Sequence, residues 1–379
     1  MSNREMDTNL RLEYLLATQT KEELLDICRS LKIKGISNLR KSKLIGMLTK
    51  RIPETVATKM QYWDQPIYDL VQQIITSPQT YYVELDDNVF SEDYLLGEAI
   101  AFHGKDAYGE YLVIPDEIRR LVASLDGELY RNTIARNTQI ARLSKGLLHY
   151  YGYLAWDELR GFLDKLLPSP LEAHTIWSVL WEVGLYNWDI ISERGYFCDG
   201  RLTDLDYLFG ELNTRKSLEY KPLTYKEVWE AGDPKYFHGQ AREVHDLVKF
   251  LAEREMDEFA PYFIDLLYGL VQTELSPPEV VFALVEHLDT ASEADITELA
   301  LLVFDFYHQV PHWVLKGHSP EEIMNHAPKQ LFPIAPQSEG QMGVVYDFAT
   351  RKRMELDAPC PCGSDLQFKN CCGKKVVPS

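Results

Sequence analysis

Four of the chain's six cysteines, Cys360, Cys362, Cys371 and Cys372, fall within thirteen positions of the stretch APCPCGSDLQFKNCCGKK, residues 358–375. Thiols this close are oxidised in pairs, left mutually reactive or bound to a metal. Cys371 and Cys372 are adjacent, and a Cys360–Cys362 bridge would span a single residue, so local pairs meet the usual Cα separation of about 5.5–6 Å only with strain. A zinc ion has no such difficulty. It takes four tetrahedral ligands at about 2.3 Å from each sulfur, and a short loop can wrap it if turn residues let the chain bend back. Pro359 and Pro361 keep the chain extended around Cys360, Gly363 and Ser364 supply a tight turn whose amides can support thiolate sulfurs, and Phe368 gives the loop an apolar anchor. Four thiolates leave no open position for a water, so the spacing predicts a structural site rather than a catalytic one.

The run from Cys360 to Gly373 resembles the SEC-C motif, the zinc-binding tail best known at the C-terminus of the preprotein translocase ATPase SecA. Both cysteine pairs, the Gly-Ser turn, the aromatic residue and the KNCCG run from Lys369 to Gly373 carry the likeness. It departs at Asp365, Leu366 and Gln367, where the family is usually more basic. The resemblance implies zinc as the cofactor and recognition of protein partners, translocation chaperones and ribosomes among them.

Other residues of catalytic type form no comparable pattern. The chain has no phosphate loop, no G-x-G-x-x-G, no H-E-x-x-H and no G-x-S-x-G. His308 and His312 are four apart, but Pro311 disrupts a helix that would aim them together. His238 and His245 are seven apart beside acidic residues and read as ordinary core or surface histidines. No enzymatic activity is expected.

The elements that must position these residues divide by charge. The chain of 379 residues has a net charge of −19, yet residues 21–52 carry nine Lys or Arg against three Asp or Glu, and residues 351–379 carry six against three. Both ends are basic and the body between them is strongly acidic, the pattern of a basic attachment module on a body that stays off polyanions. In TKEELLDICRSLKIKGISNLRKSKLIGMLTKRI, Thr20 and Glu23 form a capping-box signature, and Leu24, Cys28 and Leu31 share one face of a helix ending before Gly35. Leu44, Leu48 and Ile52 stripe a second helix, whose first turn gathers Arg40, Lys41 and Lys43, with Lys34 in the preceding loop. Cations at that end oppose the helix dipole, and a nearby anion would relieve them. This helical pair resembles the Rho termination factor N-terminal or SAP class, and the resemblance implies Lys34, Arg40, Lys41 and Lys43 as nucleic-acid contacts.

The expected fold is mainly α and multi-module: a basic pair over 1–55, a winged-helix-like unit over 61–125, a second over 133–210, a helical bundle over 222–325, a linker over 326–357 and a zinc knuckle over 358–376. The unit at 133–210 reads helix, strand, helix, helix, hairpin. Its third helix, Leu171 to Leu185, carries Glu172 and Glu182 but no Lys or Arg, so it lacks the phosphate contacts that DNA binding requires. Trp177 and Trp181, spaced i, i+4, fit a core or a protein interface instead.

The N-terminus has no signal-peptide apolar core, and no stretch approaches about 18 uninterrupted apolar residues, so a cytoplasmic protein without membrane insertion is expected. The expected function is that of a zinc-binding adaptor for a ribosome, chaperone or nucleoprotein. The alternatives are a transcription-associated nucleic-acid binder acting through residues 20–52 and an enzyme whose site has no recognisable motif. One zinc per chain should be found by elemental analysis of metal-purified protein, and replacing Cys371 and Cys372 with Ser should abolish it while leaving the fold of the body intact.

Overall fold

The computed structural model describes residues 10–36, 38–76, 81–82, 89–106, 109–233, 244–285, 287–288, 292–326 and 366–367. The protein is mainly helical, with sixteen α-helices and six short strands among the described residues. It divides into two compact units, residues 1–323 and 324–379.

The first three helices are α1 (Leu12–Thr18), α2 (Lys21–Ser30) and α3 (Lys41–Lys59). Helix α2 starts where the sequence signals it: the Thr20 hydroxyl accepts from the Glu23 amide at 3.2 Å, and the Thr20 amide donates to the Glu23 carboxylate at 2.6 Å. Leu44, Leu48, Ile52 and Val56, each four residues from the last, form the fully buried stripe of α3. That helix runs through Pro53, which cannot donate to the Thr49 carbonyl, because burial of Val56 and of Met60 just beyond it rewards continuation. A boundary near residue 55 therefore falls inside a helix rather than at its end.

The chain continues through α4 (Gln65–Thr76), β1 (Tyr81–Tyr82), α5 (Val89–Gly97), β2 (Phe102–Asp106), β3 (Gly109–Val113) and α6 (Asp116–Leu125). The hairpin β2–β3 pairs Phe102 with Val113 and Asp106 with Gly109, and β1 adds to the far side of β3. All three strands are antiparallel, in the order β1-β3-β2.

Helix α7 (Glu128–Tyr151) is the 24-residue axis of the larger unit. Its first half holds the crossing from α3 to α4. Asn137, fully buried, donates to the carbonyls of Gln61 at 2.9 Å and Trp63 at 2.8 Å, and the Thr138 hydroxyl accepts from the Gln65 amide at 2.8 Å. Then follow β4 (Tyr153–Ala155), α8 (Trp156–Leu166), α9 (Ala173–Val183), β5 (Ile190–Glu193) and β6 (Tyr196–Asp199). The second sheet is antiparallel with order β4-β6-β5. Its two-residue turn needs positive φ at both positions, which Arg194 (φ 50°) and Gly195 (φ 85°) adopt.

The rest is α10 (Leu205–Thr214), α11 (Tyr225–Ala231), α12 (His245–Ala252), α13 (Ala260–Val271), α14 (Pro277–Val285), α15 (Glu293–Gln309), a 3-10 turn over Trp313–Leu315 and α16 (Pro320–His326). Apolar side chains gather into two cores. One runs from Leu12 to Ala231, so residues expected as separate modules over 1–55, 61–125 and 133–210 share a single interior. The other runs from Leu208 to Trp313 and includes α10 as well as the bundle helices. The sequence patterns divided the first core because each helix pair looked self-sufficient in its own stripe.

The C-terminal half of α7 joins both cores. The His149 carbonyl accepts from the Tyr268 hydroxyl at 2.7 Å and from Trp313 Nε1 at 2.9 Å. Gly146 lies so close to α11 that a Cβ there would sit 1.9 Å from the Val228 carbonyl oxygen. Gly146→Ala should therefore destabilise the protein by about 1–3 kcal/mol or more, since the obstacle is backbone rather than a mobile side-chain tip. Gly161→Ala in α8, where a Cβ meets nothing within 4 Å, should be neutral or stabilising by up to about 1 kcal/mol. Chemical denaturation of the two variants checks both.

Candidate functional site

The predicted zinc ligands Cys360, Cys362, Cys371 and Cys372 lie outside the described residues, so the fit of a metal rests on donor chemistry. Four thiols complete a tetrahedral set without a further ligand. Elsewhere, no group of three or more His, Cys, Asp or Glu among the described residues is arranged to hold a metal. The two remaining cysteines are both buried. Burial raises the Cys28 thiol above its ordinary range and pushes Cys198 up to about 12, so neither is a reactive thiolate.

Of the predicted nucleic-acid contacts, Lys34 lies in the loop between α2 and α3, Arg40 is the N-cap of α3, and Lys43 is in its first turn. All three are exposed and form no ion pair among the described residues. Lys41 is placed differently. It is half-buried, and its Nζ donates to the Ala17 carbonyl at 2.7 Å, within the last turn of α1. That end of α1 carries the negative pole of its dipole, so Lys41 is satisfied without an external anion. Sequence spacing along one helix could not reveal a partner twenty-four residues upstream.

Helix α9 separates its two tryptophans. Trp177 packs edge-on against Trp156 and Phe197, with ring centroids 5.2 Å from each. Trp181 is 47% exposed, and Leu185 and Trp188 beyond the helix are 43% and 60% exposed. Together with Leu180, Gly184 and Ile191 they line an apolar cavity of about 310 Å³. Phe90 of α5, itself exposed, lies against Trp188 with ring centroids 5.0 Å apart.

Glu182 faces the interior rather than solvent. It is only 5% exposed and binds Lys59 at 3.0 Å and the Tyr94 hydroxyl. Lys59 also reaches Glu98 at 3.4 Å, so one half-buried cation ties α3 to α9 and to the turn just after α5. Burial raises the Glu182 carboxyl above the ordinary range, and Lys59 counters it. The absence of basic side chains on α9 stands, with Glu172 exposed at its N-cap. The nearby turn supplies no free cation either, because Arg194 pairs with Asp206 at 2.8 Å. Sequence reasoning missed the Lys59 pair because the partners are 123 residues apart.

His308 and His312 are each engaged with backbone carbonyls. His312 is buried and donates from Nε2 to the Tyr307 carbonyl at 2.7 Å, and burial lowers its pKa to about 4. His308 lies in the last turn of α15 with Nδ1 2.8 Å from the Phe304 carbonyl. His245 begins α12 on the surface, and His238 lies outside the described residues.

Against protein-family models, residues 358–374 match the SEC-C motif. The match covers the predicted cysteine ligands and leaves the helical body unassigned. No solved structure matches the chain. No helix among the described residues is long and apolar enough to cross a membrane.

If residues 20–52 bind duplex DNA, replacing Arg40 and Lys43 with Gln should lower the slope of log affinity against log salt by about one to two units, near 0.9 per lost phosphate contact. Lys41→Gln should instead lower thermal stability through the lost Ala17 bond. Salt titrations and melting curves on the full chain separate the two effects.

Proposed function

We propose that the protein is a zinc-binding adaptor that docks a protein or ribonucleoprotein partner, such as a ribosome or chaperone, and that it does so in the cytoplasm. The observation that carries this reading is the exposed apolar surface of Trp181, Leu185, Trp188 and Phe90. Large aromatic residues grouped at a concave surface are the usual anchors of protein interfaces.

The helix, strand, helix, helix, hairpin order of α7 to β6, with its β4-β6-β5 sheet, resembles a winged helix. In that reading α9 is the helix that would enter a DNA groove. Its lack of Lys and Arg and the Arg194–Asp206 pair favour a protein surface in its place. Asp93 is exposed on α5, the helix of Phe90, which suits a partner segment carrying apolar side chains flanked by basic ones. The zinc tail adds the family's association with protein recognition.

A second reading has the N-terminal pair bind nucleic acid in the manner of the Rho N-terminal or SAP class. It rests on the exposed Lys34, Arg40 and Lys43, which form no ion pair among the described residues. Neither reading assigns a catalytic reaction to the chain.

A pull-down with tagged full-length protein from cytosol, with and without nuclease, tests the proposal. Protein partners should persist after nuclease and be lost from a Trp181→Ala/Trp188→Ala variant that keeps the wild-type melting temperature. Loss of every partner on nuclease treatment would instead establish the nucleic-acid reading.

A further inference from the structure

A second cavity lies on a different part of the larger unit, where β4, β6, α10 and the turn after Trp313 meet. Its volume of about 530 Å³ is within the range of small-molecule sites. The wall is aromatic. Tyr153, Tyr196 and Phe209 form a mutual edge-to-face triad with centroid separations of 4.7–5.3 Å, and Tyr220 closes one side.

Polar groups converge on the same space. The hydroxyls of Tyr153 and Tyr196 make no hydrogen bond among the described residues, although each ring is packed and half-buried. Burial raises the Tyr153 and Tyr220 hydroxyls above the ordinary tyrosine range, so both remain donors at neutral pH. Asn213 adds an amide.

Two cations stand at the rim of this cavity in an otherwise acidic body. Lys216 is exposed and forms no ion pair among the described residues. Lys316 is held in place: its Nζ donates to the Leu218 carbonyl at 2.6 Å and lies 5.3 Å from the Tyr220 ring centre, on a backbone with φ 52°. A non-glycine residue in that region is uncommon and is fixed by its surroundings. An opposing charge in contact with the lining is Glu158, which accepts from the Tyr220 hydroxyl at 3.3 Å.

From this arrangement we infer that the cavity binds a nucleoside monophosphate. A planar base would lie against the tyrosine and phenylalanine faces, as bases do on aromatic platforms. The tyrosine hydroxyls and Asn213 would meet its polar edge and sugar, and Lys216 and Lys316 would take the phosphate. The same chemistry could be presented by a free nucleotide or by the 5′-phosphorylated end of a single strand. The inference is independent of the adaptor reading, which uses the opposite set of aromatic residues.

Equilibrium dialysis of the full chain against the four nucleoside 5′-monophosphates, the matching nucleosides, inorganic phosphate and a 5′-phosphorylated tetranucleotide provides the test. At least one monophosphate should bind, with its nucleoside and phosphate alone each at least about tenfold weaker. Lys216→Gln should weaken that binding by about tenfold or more, the size of a lost charge-assisted hydrogen bond, without shifting the melting temperature. Tyr196→Phe, which keeps the ring and removes only the hydroxyl, should give a smaller loss. Tighter binding of the tetranucleotide with the same dependence on Lys216 would identify a strand end as the source. Failure of all four monophosphates to bind at millimolar concentration, or unchanged binding by the Lys216→Gln variant, would overturn the assignment.

Discussion

The body depends on the burial of the C-terminal half of α7. From Leu143 to Tyr151 nearly every position is enclosed, on all sides of the helix, which an amphipathic helix of a single core cannot achieve. Complete burial forces neighbours against the backbone itself. Gly146 and Gly232 let α7 and α11 approach until each helix's glycine faces a carbonyl of the other, Val228 and Arg142. Gly152, at φ 76°, ends the helix and lies against the Trp313 indole, where a side chain would collide. The carbonyl of His149 near that end is satisfied by Tyr268 and Trp313, two donors from the second core. A helix terminus that would otherwise leave orphan acceptors thus becomes the joint between two cores.

Several of the charges admitted to this interior are held by named partners. Arg201 is doubly bonded to Asp199 and reaches His149 Nδ1 at 3.3 Å, which requires Nδ1 to be the acceptor. His149 in turn stacks on Tyr268 with centroids 4.5 Å apart. Burial, then the cations of Arg201 and Lys145, hold its imidazole well below the ordinary histidine range, so it is neutral. Asp64, buried beside the Tyr186 hydroxyl at 3.0 Å, has its pKa raised to about 6 by desolvation. These groups sit at junctions between elements distant in sequence, where breaking a pair would strand a buried charge.

Local features were legible in the sequence, and their long-range partners were not. The Thr20 capping box, the Leu44–Leu48–Ile52 stripe and the order of elements from α7 to β6 all follow from residues a few positions apart. The cysteine cluster is legible for the same reason, since its spacing is its chemistry. Lys59 with Glu182, Lys41 with Ala17 and the cavity joining Tyr153 to Lys316 depend on how helices are laid against one another, which periodicity does not encode. Pro53 shows the converse: a strong local breaker is overruled when burial on its far side outweighs one missing hydrogen bond.

The Trp313 contact also sets an order of events during synthesis. Its indole reaches the His149 carbonyl across 164 residues of chain, so α7 emerges from the ribosome long before the residues that cover its end exist. At about 5–20 residues per second the interval is on the order of ten to thirty seconds. During that time the end of the helix packs against the first core but lacks the Trp313 indole over Gly152. The joint between the two cores is therefore completed only after nearly the whole body has been made.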